Sequence, residues 1–462
     1  MAGITGIGSG MNIDTMVSTL IAAEKAPKEA QLTRLTTANT TKITALGTLR
    51  NSLTSFQSAL KDLNDVKLFQ NRSGKSSNEE LLTVTADKTA QSGSYAVKVE
   101  QLATGSKTAT AVLDDDFKTG SAGQLTVKVG SSDSGVSVDI AEGASLSDVR
   151  DAINAALKDK GVSANLLTNP SNGETRLVLS STNTGADKDV LIEADGVDSR
   201  LNIGSNNVAG PGAGVLERAQ NAKFTVDGLS LESATNKVEG AIPDVTLNLA
   251  KADKDKTTVV TVGQDIEGVT ANIKKFVSAY NDLVKTANSL TKVTKVGEDG
   301  TPLTGGLVGD SSVRNILSGL QNELVSAAGG DVRLLSQLGI TTQQDGTLGI
   351  EDDELKAALE KNFDAVGNFF AGENGLMTRM NDRVDGFNQT GGVLAQRVSG
   401  LEASNKDITA QREKLTLRIE SMTKRLYAQF NAMDSMVARL TNTSNSLASA
   451  LSNLPGVVKK SS

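Results

Sequence analysis

The chain has 462 residues, a formal net charge of −7 and 3% aromatic residues, and it contains no tryptophan, cysteine or histidine. A chain of this length exceeds one hydrophobic core, so about two to four domains are expected. The lack of cysteine excludes disulfides and thiolate metal sites, and the lack of histidine removes the usual group for acid–base catalysis and most zinc sites. Interspersed charges of both signs disfavour nucleic acid or an anionic membrane surface as the main partner, and the apolar stretches are too short for membrane insertion. We therefore expect no enzyme and no cofactor.

The N-terminal region is predicted to be helical after a short stretch rich in glycine. It lacks the basic start and apolar core of a cleaved secretory signal. Asp14 is a candidate cap for a first helix, which Pro27 is expected to interrupt. Polar Asn39 and Lys42 then interrupt an apolar seam, so the first half of this region is expected to be labile alone. The seam itself alternates spacings of three and four at Leu46, Leu49, Leu53, Phe56, Leu60 and Leu63.

From about residue 73 the apolar period changes to that of β-strands. Hairpins are predicted over 125–140 and over 222–231, where Asp227-Gly228 favours a type I′ turn. A short helix is expected to start after its cap, Ser145. The glycine-rich segment 206–214 is predicted to be a linker. Other strands are predicted at 95–99, 162–167, 175–179, 190–192, 245–249 and 260–262.

The helical period returns at Val269 and continues to the C-terminus. Helices are predicted at about 310–328, 352–361 and 363–371. A second seam with the same spacing follows, at Leu415, Ile419, Met422, Leu426, Met433, Met436, Leu440, Leu447 and Leu454. An apolar period of 3.5 residues makes a stripe that one helix cannot bury alone. We therefore expect the two ends to pair with each other or with other copies, and we predict an assembly helix over 401–454, about 80 Å long.

These patterns predict an α+β multidomain fold, in which β-rich head domains are inserted into a helical stalk with coiled-coil segments at both ends. The predicted domains are a flexible N-terminal helical segment (1–42), a helical leg domain (43–72 with 264–409), a β-rich head domain (73–110 with 215–263), an inserted outer β-rich domain (111–214) and a C-terminal coiled-coil segment (410–462).

Segments that could carry chemistry have simpler structural interpretations. The glycine patterns at 6–10 and 210–214 lack the strand–glycine–helix context of a phosphate loop. The acidic run 114–116 lacks the alternating ligands of a calcium loop, and 352–354 suits the first turn of a helix. Carboxylate pairs for glycoside cleavage are disfavoured because sugar clefts need aromatic platforms. We predict no catalytic, cofactor-binding or metal site.

Short motifs occur in a fixed order along nearly the whole chain. They are Gly8-Ser9-Gly10-Met11-Asn12-Ile13-Asp14, Glu24-Lys25-Ala26-Pro27, Gly93-Ser94-Tyr95, Gln101-Leu102-Ala103, Phe224-Thr225-Val226-Asp227-Gly228, Phe276-Val277 with Tyr280-Asn281-Asp282-Leu283, Gly309-Asp310, Leu338-Gly339-Ile340, Asp345-Gly346-Thr347-Leu348 and Phe430 with Met433-Asp434. In this order they resemble the bacterial flagellar filament cap protein family, also called hook-associated protein 2. Residues 145–163 also resemble a small repeat module of flagellar hook and filament proteins.

The resemblance implies an assembly protein without covalent chemistry. It implies a ring-shaped homo-oligomer of about four to six subunits at the distal tip of the filament, where it promotes flagellin polymerisation and prevents flagellin loss, as filament elongation and motility require. It implies secretion by the flagellar type III route without a cleaved signal. The implied partners are flagellin, the hook–filament junction proteins, an export chaperone at the C-terminal segment and, through surface loops, host mucin. A junction protein or a flagellin-like filament subunit remains the alternative.

Overall fold

The protein is mainly helical at its two ends and β-rich in between. The coordinates of the computed structural model describe residues 10, 12–114, 116–204, 213–294, 303–327 and 329–452. They form two compact units, one made of Met1–Val66 with Thr270–Ser462 and the other of Lys67–Val269. The predicted α+β class, with a β-rich part inserted between helical ends, is therefore confirmed.

The helices follow the predicted periodicity closely. In chain order they are α1 (Ile13–Leu63), α2 (Leu146–Ala156), α3 (Ile266–Thr291), α4 (Ser311–Val325), α5 (Asp352–Phe370), α6 (Leu376–Asn388) and α7 (Val393–Ser452), with 3₁₀ turns at Val66–Gln70, Ser199–Leu201 and Leu335–Leu338. The predicted break between residues 361 and 363 is confirmed as a kink in α5, since Asn362 has φ −138° and ψ 44°. α7 continues without a break across residue 410, the predicted border of the C-terminal segment.

The β-rich unit contains antiparallel sheets. Its strands are β1 (Arg72–Ser76), β2 (Leu82–Ala86), β3 (Gly93–Gln101), β4 (Gly105–Ala109), β5 (Gly123–Val129), β6 (Val136–Ile140), β7 (Val162–Thr168), β8 (Thr175–Thr184), β9 (Val190–Asp195), β10 (Gly214–Glu217), β11 (Ala222–Val226), β12 (Leu229–Ser233), β13 (Lys237–Ile242), β14 (Val245–Leu249) and β15 (Thr258–Gln264). The sheets have the orders β1-β15-β3-β11-β12, β10-β4-β8-β7, β13-β14-β2 and β6-β5-β9. The helical unit adds two short hairpins, β16–β17 (Val293–Thr294 with Leu303–Thr304) and β18–β19 (Ile340–Thr342 with Leu348–Ile350).

Local sequence signals in the β-rich unit are confirmed. In the first predicted hairpin, Leu125 pairs with Val138. In the second, Asp227 and Gly228 have φ of 50° and 84°, as a type I′ turn requires. Ser145 caps α2 in a capping box with Asp148, whose pKa is lowered by the hydrogen bond from the Ser145 hydroxyl.

Strand pairing crosses the predicted border between the head domain and the outer β domain. β4, in the predicted head domain, pairs with β10, which spans the 214/215 border, and also with β8 of the predicted outer domain. A Cβ on Gly105 would lie 1.9 Å from the carbonyl oxygen of Ser181, so glycine permits this close pairing. The predicted domain borders all stay predictions. The predicted linker 206–214 lies largely outside the described residues.

α1 continues through Pro27, so the predicted interruption is wrong. Proline removes one backbone donor and leaves the carbonyl of Ala23 without its helical partner. Both residues are exposed, so water can hydrate that carbonyl. The N-cap is also not Asp14 but Asn12, whose side-chain oxygen accepts a hydrogen bond from the Thr15 amide at 3.0 Å.

The core of the helical unit is built on the N-terminal seam. Its six predicted residues are all at most 1% exposed: Leu46, Leu49, Leu53, Phe56, Leu60 and Leu63. Phe56 lies 6.1 Å from the rings of both Phe276 and Tyr280 in α3, and Phe276 lies 6.4 Å from Phe370 in α5. This half of the seam therefore finds its partners within the chain.

Tyr280 is fully buried in this aromatic cluster, and its hydroxyl has no hydrogen-bond partner within the described part of the chain. Burial disfavours the phenolate and raises the pKa of Tyr280 to about 12. The ring thus contributes packing, whereas the hydroxyl contributes an uncompensated desolvation cost.

Replacing Tyr280 with phenylalanine should leave the free energy of unfolding at pH 7 unchanged or raise it by about 1 kcal/mol, because the packing ring stays and the buried hydroxyl is removed. Unfolded tyrosine ionises near pH 10, whereas folded Tyr280 keeps its proton to about pH 12. The wild type should therefore lose stability between these pH values, and the variant should lack this contribution. Urea unfolding at pH 7 and pH 11 measures both effects. A loss of more than about 1 kcal/mol at pH 7 would contradict the assignment.

Candidate functional site in the terminal helices

The first half of α1 and the first two-thirds of α7 form an antiparallel pair. Asn39 contacts Asn405, Thr33 contacts Arg412 and Glu24 contacts Arg418, so one helix ascends as the other descends. We call residues 13–42 and 400–430 the terminal helix pair. Of the two partners left open by the sequence, each other or other copies, the first is therefore observed for this stretch.

Apolar side chains form the inner face of the terminal helix pair. Ile13, Val17 and Leu32 of α1 are at most 1% exposed, and Ile408 and Ile419 of α7 are buried. The predicted seam residues Leu415, Met422 and Leu426 are half-buried here. Since neither helix could bury a stripe of this period alone, the pairing accounts for the persistence of both helices.

Polar residues interrupt this apolar face and meet one another. The side-chain amide of Asn39 donates to the Asn405 side-chain oxygen at 3.0 Å and to the Ser404 hydroxyl at 3.1 Å. The polar interruption that the sequence showed at Asn39 therefore meets polar residues of α7. One sequence can show that each position is polar, but it cannot predict the contact between them. The contact depends on the register of the two helices, which neither helix determines alone.

Three further contacts follow toward the N-terminus of α1. Arg412 Nη2 donates to the Thr33 hydroxyl at 2.9 Å, and Arg418 Nη2 donates to Glu24 Oε1 at 2.8 Å. The Tyr427 hydroxyl donates to the Asp14 carboxylate, and this hydrogen bond raises the pKa of Tyr427. Arg418 is 71% exposed, so its ion pair adds little stability in water and acts mainly on orientation.

The base of α7 is anchored in the helical unit. Arg397 Nη1 donates to Asp310 Oδ1 at 2.8 Å and to the Ser312 hydroxyl at 2.8 Å. Asp310 is also the N-cap of α4, and the hydrogen bond from Arg397 lowers the pKa of its carboxyl. Because the Arg397 guanidinium binds both the Asp310 carboxylate and the Ser312 hydroxyl, it fixes the orientation of the start of α7 against the start of α4.

Beyond Tyr427 the apolar seam of α7 has no cover from the described residues. Asp14, the partner of Tyr427, lies in the first turn of α1, whereas α7 continues to Ser452, about 38 Å farther. The seam residues of this stretch are 40–64% exposed: Met433, Met436, Leu440, Leu447 and Leu451. We call these five residues the uncovered seam. The predicted seam member Leu454 lies outside the described residues, and Leu451 was not among those predicted.

The uncovered seam lies on a nearly uncharged helix. From residue 431 to 452 the only ionisable side chains are Asp434 and Arg439, and the rest are mostly serine, threonine, asparagine and alanine. Soluble proteins rarely expose a contiguous apolar stripe unless it is an interaction site. This stripe, with its helical spacing, is therefore the candidate functional site.

The two acidic segments weighed for chemistry form ion pairs, whereas the glycine patterns at 6–10 and 210–214 lie largely outside the described residues. Asp352 forms an ion pair with Lys274 at 2.8 Å, and Asp114 lies 4.0 Å from Arg200. Among the residues that the structure describes, no group of three acidic, histidine or cysteine side chains could hold a metal ion. No described helix combines the length and apolarity needed to cross a membrane.

Comparison with known proteins identifies the family. The sequence profile of the flagellar hook-associated protein 2 C-terminus matches residues 219–442, and that of its N-terminus matches residues 9–106. A-type flagellar hook-associated protein 2 of Pseudomonas aeruginosa is 47% identical over 472 residues, with 99% of each chain covered. The chain belongs to the flagellar hook-associated protein 2 family. The predicted resemblance is thereby confirmed.

Other members of the family extend the match to the fold. Flagellar hook-associated protein 2 of Escherichia coli K12 is 33% identical, with 97% of each chain covered. The crystal structure of the flagellar cap protein FliD D1-D2-D3 domains from E. coli is 31% identical, with a TM-score of 0.58, and covers 78% of this chain and 99% of that chain. The flagellin hook IN motif matches residues 124–183, which confirms the predicted likeness of 145–163 to a hook and filament module.

Replacing Leu32 with alanine should loosen the terminal helix pair, whereas the same change at Leu35 should not. Leu32 is fully buried and Leu35 is 46% exposed. The free energy of unfolding should therefore fall by about 2–5 kcal/mol in the Leu32 variant and by under about 1 kcal/mol in the Leu35 variant. Hydrogen exchange should show faster opening of residues 13–42 in the Leu32 variant, with the core stretch 46–63 unchanged. Equal exchange in the two variants would contradict the pairing.

Proposed function

We propose that this chain caps the tip of the bacterial flagellar filament, where it promotes the insertion and polymerisation of exported flagellin and prevents flagellin loss. The observation that carries the proposal is the uncovered seam, which offers five exposed apolar residues along one face of α7. Membership of the flagellar hook-associated protein 2 family supports the same role, since a cap must contact the subunits that it helps to assemble.

The chemistry of the uncovered seam indicates what it binds. Apolar residues at spacings of three, four, seven and four lie on one face of a helix and fit an apolar stripe on a second helix. With Asp434 and Arg439 as the only charges on this stretch of α7, the contact would depend little on salt. We infer that the partners are the helical ends of flagellin and of the hook–filament junction proteins.

Two features of the uncovered seam suit reversible contacts, as a cap that moves with each added subunit needs. Met433 and Met436 have flexible, polarizable side chains that adapt to differently shaped partners. The stripe is also narrow, because the neighbouring positions are mostly small and polar. Hydrophobic burial would therefore hold each contact without making it permanent.

The proposals for the remaining partners and for the location are supported by the family rather than by a particular contact. We propose a ring of about four to six copies at the distal tip of the flagellum, secreted by the flagellar type III route without a cleaved signal. The absence of cysteine suits export in an unfolded state. We also propose that an export chaperone covers the C-terminal segment before assembly. Adhesion to host mucin stays a prediction from the family resemblance alone.

Replacing both Leu440 and Leu447 with aspartate should abolish filament elongation and motility, because two charges in the uncovered seam prevent its burial. The matched control replaces Thr441 and Ala448 with aspartate, which adds the same charge one position further round the helix, where both residues are exposed. Filament length by electron microscopy and swarming of a strain complemented with each variant measure the effect.

Normal filaments with the Leu440/Leu447 variant, or equal loss with the control, would refute this use of the seam. Removal of residues 410–462 should likewise stop growth while the β-rich unit stays folded. Immunogold labelling of the wild-type protein separates a tip location from a junction or shaft location, which the alternative functions require.

A further inference from the structure

Three polar contacts of the terminal helix pair share one direction. In these three α7 provides the donor and α1 the acceptor: Arg412 to Thr33, Arg418 to Glu24 and Tyr427 to Asp14. We call these three contacts the donor ladder. The Asn39–Asn405 contact completes the set, with the donor on α1.

The placement of donors on α7 and acceptors on α1 distinguishes the observed α1–α7 pair from a pair of two α7 helices or two α1 helices. In a ring, an α7 helix could also pair in parallel with the α7 helix of a second copy, because both carry the same apolar seam. Such a pair would place Arg412 opposite the same arginine of the second copy within the seam, and it would leave Arg418 without Glu24. A pair of α1 helices would likewise leave Glu24 without Arg418. A like charge within the seam and the loss of an opposite charge beside it oppose association and set partner choice in helix pairs.

We propose that the donor ladder determines the partner of α7, so that residues 400–430 pair with α1 and not with α7 of a neighbouring copy. The inference rests on the proposed function in one respect, since a choice arises only where copies are gathered in an assembly. The apolar residues drive the association of α7 with another helix, and the donor ladder determines which helix that is.

The ladder ends where the uncovered seam begins. Tyr427 is its last member, and Met433 is the first residue of the seam that is more than one-third exposed. Selection therefore acts on the stretch that must stay within the chain, whereas the stretch beyond it carries almost no charge and accepts any helix with a matching stripe. The first part of α7 is thus specific for α1, whereas its last part can bind different helices.

The lack of native cysteine allows a direct test on the purified full-length chain. A single cysteine at Leu415, a seam residue between Arg412 and Arg418, can form a disulfide only with a second copy. In the otherwise wild-type chain, mild oxidation should give little covalent dimer. Replacing Arg412 and Arg418 with leucine should raise the rate of dimer formation about tenfold, because the repulsion between like helices is removed.

The matched control replaces Lys406 and Lys424 with leucine in the same Leu415→Cys background. Both lysines are exposed on α7, so the control makes the same change of charge and apolarity away from the ladder. Its dimer rate should stay within about twofold of the reference. Equal acceleration in the two variants, or none in the Arg412/Arg418 variant with its helix content retained, would overturn the proposal.

A charge exchange supplies a second measurement that does not depend on the leucine variants. Glu24→Arg places two guanidinium groups together and should speed hydrogen exchange of residues 13–42 by about threefold. Adding Arg418→Glu restores an opposite pair and should restore the exchange rate. Failure of this rescue would also overturn the proposal. Both measurements use the isolated protein, so they stand or fall separately from the filament growth of the Leu440/Leu447 variant.

Discussion

The structure depends on one constraint: a helix with a narrow apolar stripe must find other helices to cover it. α1 satisfies the constraint twice along its length. Its second half, from Leu46 to Leu63, is covered by the aromatic and aliphatic core of the helical unit, and its first half is covered by α7. α7 meets the same constraint only in part, because its partner ends near Tyr427 while its own stripe continues. The functional proposal follows from that difference in length.

Local sequence signals predicted the parts of the fold that local physics determines. The Asp227-Gly228 turn, the Ser145 cap and the helical stretches around α4 and α5 were all predicted from residue type and period. Each depends on backbone conformation or capping within a few residues, so one sequence contains the necessary information. The N-terminal seam was also predicted residue by residue, although its cover, a core within the chain, could not be read from its period.

Contacts between distant residues were not predicted. The pairing of β4 with β8 crosses a predicted domain border, because strand partners are chosen by packing across the sheet and not by the strand's own sequence. Pro27 was expected to end a helix, yet its exposed position tolerates the missing hydrogen bond. In the candidate site, the sequence showed Asn39 as a polar interruption but not its contact with Asn405. Their partnership depends on a register between segments more than 360 residues apart.

The continuity of α1 has a mechanical consequence. Because no break separates its buried half from its paired half, the stretch from Ala45 to Ile13 is a rod about 48 Å long that is clamped at one end. A tilt of about 10° at the clamp would carry the far end through about 8 Å. Small adjustments among the side chains around Phe56 would thus produce larger displacements at the N-terminal end of α1. The aromatic cluster is therefore both a core and the pivot about which the first half of α1 can tilt.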